Sequence, residues 1–227
     1  MYQVASQFNT LEMLSPAVSP EDGIERYAKD ATQGPACAIA CGAGTIYRNY
    51  LVPLEGRLGQ SRQRQINCLD DLAAALDTDI PVRNGYALPS RAQLDGVNVR
   101  LSMLSASDRE SLMGNLRIGV MWDTEVTLEG GGHTVSQAYC SAAPVSYSDQ
   151  PTDAWEPLAR LILDAAYEAT FAAAVLNARG TGNNTLFLTS LGGGAFGNPR
   201  HWISAARQRA LELFAHADLD VVTISYG

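Results

Sequence analysis

The chain has 227 residues, of which 46% are hydrophobic and 18% charged, so it has enough apolar material for a core and no composition typical of disorder. The net charge is −8 and no basic stripe is present, which argues against a nucleic-acid-binding protein. The first residues lack the charged-then-apolar layout of a signal peptide, and no uninterrupted apolar run approaches the roughly 20 residues of a membrane span. We therefore expect a cytoplasmic protein with reduced cysteines and with neither nucleic acid nor membrane as a partner.

The N-terminal part of the chain alternates short elements with loops. Tyr2–Phe8 predicts a short strand. Ser19–Asp22 predicts a helix start, because serine suits the N-cap, proline the first helical position, and the acid completes a capping-box spacing. A break at Asp30–Pro35 precedes Ala36–Tyr50, a run whose small side chains would let a helix lie close to a sheet.

The stretch 51–114 carries weaker signals. Cys68–Leu76 and Ser107–Met113 predict short helices, and Asn84–Gly85 marks a turn. No repeat or low-complexity linker separates this stretch from the rest, so residues 1–227 are expected to form a single domain. Within that domain, 51–114 is either an insertion that binds a partner or a part that completes the sheet.

The second half of the chain has a regular pattern. Leu116–Val126 alternates at period two and, with His133–Cys140, predicts a hairpin. Apolar residues recur at helical spacing along Trp155–Asn177. A strand at Thr185–Leu188, a glycine-rich loop, a helix and a final strand at Val221–Ile224 then make a βαβ unit with parallel strands. These elements predict an α/β fold with a mixed sheet.

The loop Leu191–Pro199 is the clearest candidate binding site. Its glycines leave backbone N–H groups unshielded and permit positive φ angles, and Asn198–Pro199 would start the next helix as N-cap and first helical residue. Successive N–H groups and the positive end of a helix form an anion site for which phosphate is the natural ligand. The loop lacks the Gly-Lys-Ser/Thr of a P-loop and the Gly-x-Gly-x-x-Gly of a dinucleotide-binding fold. The alternative interpretation is a glycine-rich turn without a ligand.

The segment Thr185–Pro199 resembles the strand, loop and helix start of macrodomains, whose loop is of the kind Gly-x-Gly-x-Phe/Tyr-Gly-x-Pro. In that family the loop holds the diphosphate and distal ribose of ADP-ribose, with the aromatic residue packed on the ribose. The resemblance implies a three-layer α/β/α sandwich with a mixed central sheet. It assigns ligand contacts to the loop residues Gly192, Gly193, Gly194, Ala195, Phe196, Gly197 and Asn198. A purely structural interpretation makes Phe196 a core anchor for the loop.

The N-terminal part resembles macrodomains less closely. Gln7–Asn9 ends a strand whose family counterpart carries an Asn that contacts the distal ribose, and Asp30–Ala38 corresponds to the family's other glycine-rich loop. Most of the expected glycines are missing there, and an acidic segment with Asp22 and Asp30 is present instead. This departure resembles a subgroup of macrodomains that includes a bacterial effector removing ADP-ribose from ubiquitin, and an effector would be delivered into a host cytosol. The corresponding loop adds two expected ligand-binding residues, Gln33 and Gly34.

Carboxylates are the candidate catalytic groups. Removal of ADP-ribose breaks a glycosidic or ester bond at the distal ribose, and carboxylates can orient ribose hydroxyls or a water molecule. We predict that Asp30 orients the water or the ribose, assisted by Asp22 and Asn9 in the same cleft, and that Glu12, a weaker candidate for this cleft, binds the ligand. Each also has a structural interpretation, since Asp22 fits a capping box, Asp30 could cap the next helix, and Glu12 could be structural or exposed.

The sequence thus predicts an ADP-ribosyl hydrolase that acts on a modified protein, with ubiquitin as the protein that the resemblance suggests. No cofactor or metal is expected, because no cysteine pair has CxxC spacing and the three histidines do not cluster. Two alternatives stay open. One is a module that binds ADP-ribose without cleaving it, and the other is a protein that binds another nucleotide diphosphate or an NAD-derived metabolite.

Overall fold

The computed structural model describes residues 1–224. Its strands, in chain order, are β1 Tyr2–Ala5, β2 Pro53–Leu54, β3 Arg57–Leu58, β4 Val82–Arg83, β5 Tyr86–Ala87, β6 Gly119–Glu125, β7 Thr134–Cys140, β8 Thr185–Leu188 and β9 Asp220–Thr223. Five of them form the central sheet in the order β6-β7-β1-β8-β9. The pairs β2/β3 and β4/β5 are separate short antiparallel hairpins.

The α-helices are α1 Gln33–Ala40, α2 Gly42–Ile46, α3 Asp70–Ala75, α4 Arg91–Met103, α5 Ala106–Met113, α6 Thr152–Thr181 and α7 Arg200–Leu213. Short 3₁₀ turns lie at Pro20–Asp22, Glu25–Lys29 and Val145–Tyr147, and a π-helical turn at Tyr47–Leu51 follows α2.

The central sheet is mixed, as the sequence predicted. β1 pairs in parallel with both β7 and β8, and β8 pairs in parallel with β9. β6 is antiparallel to β7, so the predicted hairpin and the predicted parallel βαβ unit are both confirmed. The carboxyl ends of β7, β1, β8 and β9 therefore meet at one edge of the sheet, where open α/β folds bind ligands.

Helices cover both faces of this sheet, as two neighbouring residues of β7 show. The thiol of Cys140 lies 3.2 Å from the hydroxyl of Thr170 in α6. On the other face, the Arg48 guanidinium of the π-helical turn lies 3.4 Å from the ring centroid of Tyr139. Successive residues of a strand point to opposite faces, so the arrangement is compatible with the expected three-layer sandwich.

The stretch 51–114 contains one helix that the sequence analysis did not predict, α4. Ser90 caps it, because the Ser90 hydroxyl accepts a hydrogen bond from the Gln93 N–H at 3.3 Å. Its buried residues Leu94, Val97 and Leu101 belong to the hydrophobic core that also includes α6 side chains. These three apolar positions are spread among polar residues, so the helical period is weak in the sequence and tertiary packing decides the outcome.

The small-residue run near the N-terminus is broken into three short pieces rather than one helix. Cys41, with φ −122° and ψ 62°, separates α1 from α2. The close approach to the sheet occurs at Gly44, where an added Cβ would lie 3.1 Å from the Thr124 methyl group of β6. Upstream, the helix predicted to begin at Ser19 is a single 3₁₀ turn.

Helix α6 is the longest element, with 30 residues. By length and composition alone it could cross a membrane, but 61% of its most apolar window is buried inside the fold. The central helix of a compact α/β fold has the same properties, because it is apolar around much of its circumference.

Candidate functional site

A cleft of about 620 Å³ lies at the carboxyl ends of the parallel strands. This volume falls within the range typical of small-molecule sites. One side, which we call the loop wall, consists of residues 189–196 after β8. The opposite side, the N-terminal wall, consists of residues 5–7, 12–14 and 30–35.

The loop wall offers unused backbone donors. Within residues 1–224, the N–H groups of Gly194, Ala195 and Phe196 take part in none of the backbone or side-chain hydrogen bonds of the loop. The neighbouring Gly193 N–H is used, because it donates to the Ser190 carbonyl at 3.0 Å. Successive free N–H groups that border a cleft form the kind of nest that binds anions.

Two of the loop glycines are needed for the path of the chain. Gly192 has φ +74°, and an added Cβ would lie 2.4 Å from the Ala142 side chain. Gly197 has φ +72°, and its Cβ would lie 1.9 Å from the Ser146 hydroxyl. Gly194 has open space at the Cβ position. The glycines therefore have different tasks, since Gly192 and Gly197 shape the loop and Gly194 leaves it open to the cleft.

Asn198 holds the loop from behind. Its side-chain amide donates to the carbonyls of Ala143 at 2.8 Å and Gly192 at 3.2 Å. It is not the N-cap that the sequence predicted, because α7 begins at Arg200 with Pro199 in the cap position. Neither Asn198 nor Gly197 is among the described residues that line the cleft.

Tyr167 of α6 fixes the start of the same loop. Its hydroxyl donates to the Thr189 carbonyl at 2.7 Å and accepts from the Leu191 N–H at 3.2 Å. With contacts from α6 and Asn198, the loop is held in one shape before any ligand arrives.

Phe196 combines both interpretations that the sequence left open. It is 9% exposed, and its ring centroid lies 5.4 Å from that of Tyr86 and 5.6 Å from that of Tyr147. All three residues also line the cleft. Phe196 thus anchors the loop in an aromatic cluster and also borders the cleft, while its contact with a ligand stays a prediction.

Gln33 and Gly34 line the cleft and attach α1 to β1. The Gln33 amide oxygen accepts from the Ala5 N–H at 2.9 Å, and its nitrogen donates to the Gln3 carbonyl at 2.9 Å. A Cβ on Gly34 would lie 2.0 Å from the Ala5 carbonyl oxygen. Gln33 therefore has a structural role, and its expected ligand-binding role stays a prediction.

Asp30 and Glu12 line the cleft, whereas Asp22 does not. Asp30 accepts a hydrogen bond from the Thr32 N–H at 2.9 Å, which makes a local turn at the start of α1. Asp22 accepts from the Ser19 N–H at 2.9 Å and from the Ser19 hydroxyl at 3.0 Å. These bonds hold the pKa of Asp22 below its usual range. The expectation that Asp22 and Asp30 face one cleft is not met, because the carboxylate of Asp22 closes a capping box.

Asn9 is also placed outside the cleft. It is fully buried, with its amide oxygen accepting from the Leu11 N–H at 3.1 Å and its nitrogen donating to Gln65 at 2.9 Å. Both polar atoms are used inside the protein. The geometry thus gives no support to the predicted catalytic assistance from Asn9 and Asp22.

Glu12 forms a buried ion pair that the sequence analysis missed. Its carboxylate lies 3.3 Å from an Arg48 nitrogen, and the two side chains are 2% and 4% exposed. Burial raises the pKa of Glu12 to about 7, against the smaller lowering effect of Arg48. The only sequence signal was an arginine embedded in an otherwise small and apolar run.

Two arginines of α7 that were not among the predicted site residues, Arg200 and Arg207, line the cleft beside the loop wall together with Ser204. Their spacing along α7 places all three residues on neighbouring parts of one helical face. Arg207 donates to the Thr223 hydroxyl at 3.5 Å. The guanidinium groups give this end of the cleft positive charge.

No metal site accompanies these groups, since within residues 1–224 no cluster of three or more His, Cys, Asp or Glu side chains could hold an ion. No family model, no curated protein and no solved structure matches the chain.

Proposed function

We propose that the protein is an ADP-ribosyl hydrolase of the macrodomain type, which binds ADP-ribose in the cleft and releases it from a modified protein. The observation that carries this proposal is the set of free N–H groups at Gly194, Ala195 and Phe196 on the loop wall. Three donors within one loop suit the oxygens of a diphosphate.

The charges beside the loop support an anionic ligand. Arg200 and Arg207 line the cleft next to the loop wall, in a chain whose net charge is −8. Guanidinium groups bind phosphate oxygens through charge-assisted hydrogen bonds. The diphosphate would lie between the loop N–H groups and this arginine pair.

The distal ribose would then lie towards the aromatic cluster and Asp30. Burial, Tyr147 and, to a smaller extent, the charge of Asp30 raise the pKa of the Tyr86 hydroxyl. The Asp30 carboxylate therefore lies close enough to the aromatic cluster to influence it electrostatically. Phe196 packs against Tyr86 and would contact the ribose from the loop side. Asp30 would orient the ribose hydroxyls or the attacking water, as carboxylates do in glycoside hydrolysis.

The substrate proposed is an ADP-ribosylated protein, and the resemblance of the N-terminal segment to ubiquitin-directed macrodomains makes ubiquitin the first to test. The reaction needs water alone, so no cofactor enters the proposal. We place the activity in the cytoplasm, or in a host cytosol if the protein is a delivered effector.

One observation favours a second function, a module that binds ADP-ribose without cleaving it. Of the three carboxylates named from the sequence, that of Asp22 is hydrogen-bonded to Ser19 outside the cleft. Only Asp30 and Glu12 of the three line the cleft. The loop wall would serve such a module equally well. It would also accept another nucleotide diphosphate or an NAD-derived metabolite.

Release of free ADP-ribose from ADP-ribosylated ubiquitin and from peptides with other linkages tests the proposal. The wild type is expected to release ADP-ribose, and Asp30→Ala is expected to lower the rate by about 10²-fold or more. Asp22→Ala is the matched control, with a rate close to that of the wild type, because Asp22 lies outside the cleft.

The absence of release from every linkage would contradict hydrolysis. Calorimetry would then separate the alternatives, since binding of ADP-ribose without turnover identifies a module that only binds it. Tighter binding of a different nucleotide diphosphate would identify another ligand.

A further inference from the structure

We propose that Glu12, held by Arg48, is the general base of the cleft and takes the proton from the attacking water. This inference rests on the proposed hydrolase function and adds a catalytic residue to it. Asp30 keeps the orienting role, and Glu12 carries the proton.

The position of Glu12 is the first support. Its side chain is 2% exposed, yet the residue lines the N-terminal wall of the cleft. The missing side chain of Gly34 leaves room for it, because a Cβ on Gly34 would lie 3.2 Å from the Glu12 Cγ. The carboxylate is therefore positioned beneath the cleft surface, where a bound ligand would exclude bulk water.

The second support is the way in which Arg48 is held. The Arg48 Nε donates to the Thr10 carbonyl at 2.8 Å, and the guanidinium stacks on the Tyr139 ring. Within residues 1–224, the Arg48 Nη1 has no hydrogen-bond partner. A buried pair with an unsatisfied donor contributes little to stability, because desolvation of both charges offsets their attraction. Glu12, the carboxylate of this pair, lines a cleft wall, which points to a role of the pair in chemistry rather than in stability.

In the described part of the chain, residues 1–224, four ionisable side chains face Glu12: Arg48 from the π-helical turn, Tyr27 from a 3₁₀ turn, Cys37 from α1 and Tyr139 from β7. Tyr27 also accepts a hydrogen bond from the Glu12 N–H at 3.1 Å.

Among these groups, Glu12 is the one that can exchange a proton near neutral pH. Burial raises the pKa of Glu12 itself to about 7. Burial raises the pKa of the Cys37 thiol to about 11, and raises those of the Tyr27 and Tyr139 hydroxyls as well. The thiol and both phenols therefore stay uncharged in this range, which is where a general base works best.

The chemical step consumes one water molecule. The water oxygen forms a bond to the anomeric carbon of the distal ribose, while the bond from that carbon to the modified side chain breaks. Glu12 takes a proton from the water and passes it to the departing side-chain atom. The products are ADP-ribose and the unmodified protein, and the Glu12 carboxylate is regenerated.

The pH dependence of turnover tests this role without any variant. The kcat/KM of the wild type for release from an ADP-ribosylated protein should rise with pH, with a midpoint near the Glu12 pKa of about 7, because kcat/KM reports the free enzyme and a general base must be ionised. A kcat/KM that stays flat from about pH 5.5 to about pH 8 would overturn the proposal.

Two variants sharpen the test. Glu12→Gln should lower kcat by about 10²-fold or more, with an ADP-ribose affinity within about threefold of the wild type. Arg48→Met removes the positive charge that lowers the Glu12 pKa, so the midpoint should move to higher pH. A purely structural role of Arg48 would reduce thermal stability without moving the midpoint.

The outcomes separate this inference from the proposed function. Wild-type kcat in folded Glu12→Gln would overturn the role of Glu12 and leave the hydrolase proposal standing. If the wild type itself releases no ADP-ribose, both are overturned. If Glu12→Gln does not fold, the role of Glu12 is still tested by the pH profile of the wild type and by the midpoint of that profile in Arg48→Met.

Discussion

The loop wall and the N-terminal wall face each other across the cleft but offer a ligand different groups. The loop wall presents backbone donors from Gly194 to Phe196, whereas the N-terminal wall presents the carboxylates of Asp30 and Glu12. Backbone donors can hold a diphosphate but cannot exchange a proton in a hydrolysis. Affinity and chemistry should therefore be separable by substitutions on one wall or the other.

The two walls are also held in place differently. Neutral hydrogen bonds from Asn198 and Tyr167 fix the loop wall. The N-terminal wall depends in part on the buried pair of Glu12 and Arg48, which responds to pH. Perturbing the loop should alter binding at every pH, while perturbing Glu12 should alter pH dependence.

The largest effect is expected from Gly192→Ala on the loop wall. A side chain there requires a positive φ and overlaps Ala142, so the free energy of unfolding should fall by about 3 kcal/mol. Gly194→Ala is the matched control, with open space at its Cβ position and an expected change within about 0.5 kcal/mol. Chemical denaturation measures both, and equal losses would contradict the assigned tasks of these two glycines.

The second prediction concerns the N-terminal wall and pH. Because the folded-state pKa of Glu12 is raised from 4.5 to about 7, its neutral form stabilises the fold below pH 4.5 and this contribution is lost as the pH rises through 7. The loss is expected to be roughly 3 kcal/mol. Glu12→Gln should remove this part of the pH dependence of unfolding, whereas Glu21→Gln, at an exposed position, should leave it unchanged. Identical pH profiles for wild type and Glu12→Gln would contradict the raised pKa.

A smaller effect is expected from Asn198→Ala. It removes the side-chain donor of the buried Ala143 carbonyl and one of two donors to the Gly192 carbonyl, which still accepts from the Asn198 N–H at 2.9 Å. The free energy of unfolding should fall by about 1–2 kcal/mol, and ADP-ribose binding should weaken. Asn115→Ala removes comparable bonds just after α5, at a residue that does not line the cleft, and should leave binding unchanged. Unaltered ADP-ribose binding by Asn198→Ala would show that the loop keeps its binding shape without the Asn198 side-chain hydrogen bonds.

The smallest effect is expected from Arg207→Ala. Loss of one guanidinium beside the loop should weaken ADP-ribose binding by about threefold to tenfold, and less at high salt because ions screen the charge. Arg179→Ala, at an exposed position at the end of α6, changes the net charge equally and should not affect binding. ADP-ribose titrations at two ionic strengths measure both variants. A general effect of net charge would weaken binding equally in Arg207→Ala and Arg179→Ala, whereas a local contact would weaken it in Arg207→Ala alone.

The parts of the fold that the sequence predicted are those with local signals. Period-two alternation gave the β6/β7 hairpin, and the strand–glycine–helix–strand order gave the parallel β8/β9 pair. Helix α4 was missed because its few apolar residues become a buried face only against α6.

In the candidate site, too, the predictable parts are those with a local sequence signal. The glycine loop was predicted because one continuous segment of sequence encodes it. Arg48 contacts Glu12 across 36 positions of sequence, and Asn9 bonds to Gln65 across 56, so no local pattern could show either contact. Asp22 carried a local signal for two roles, and the structure places it in the capping box.

The central claim is that the cleft binds ADP-ribose through the loop wall and acts on it through the N-terminal wall. Calorimetric titration of ADP-ribose into the wild type, Gly192→Ala and Asp30→Ala tests it most directly. The account predicts one site per chain in the wild type, similar affinity in Asp30→Ala, and affinity reduced by about tenfold or more in Gly192→Ala. No binding to the folded wild type, or unchanged binding in folded Gly192→Ala, would contradict it.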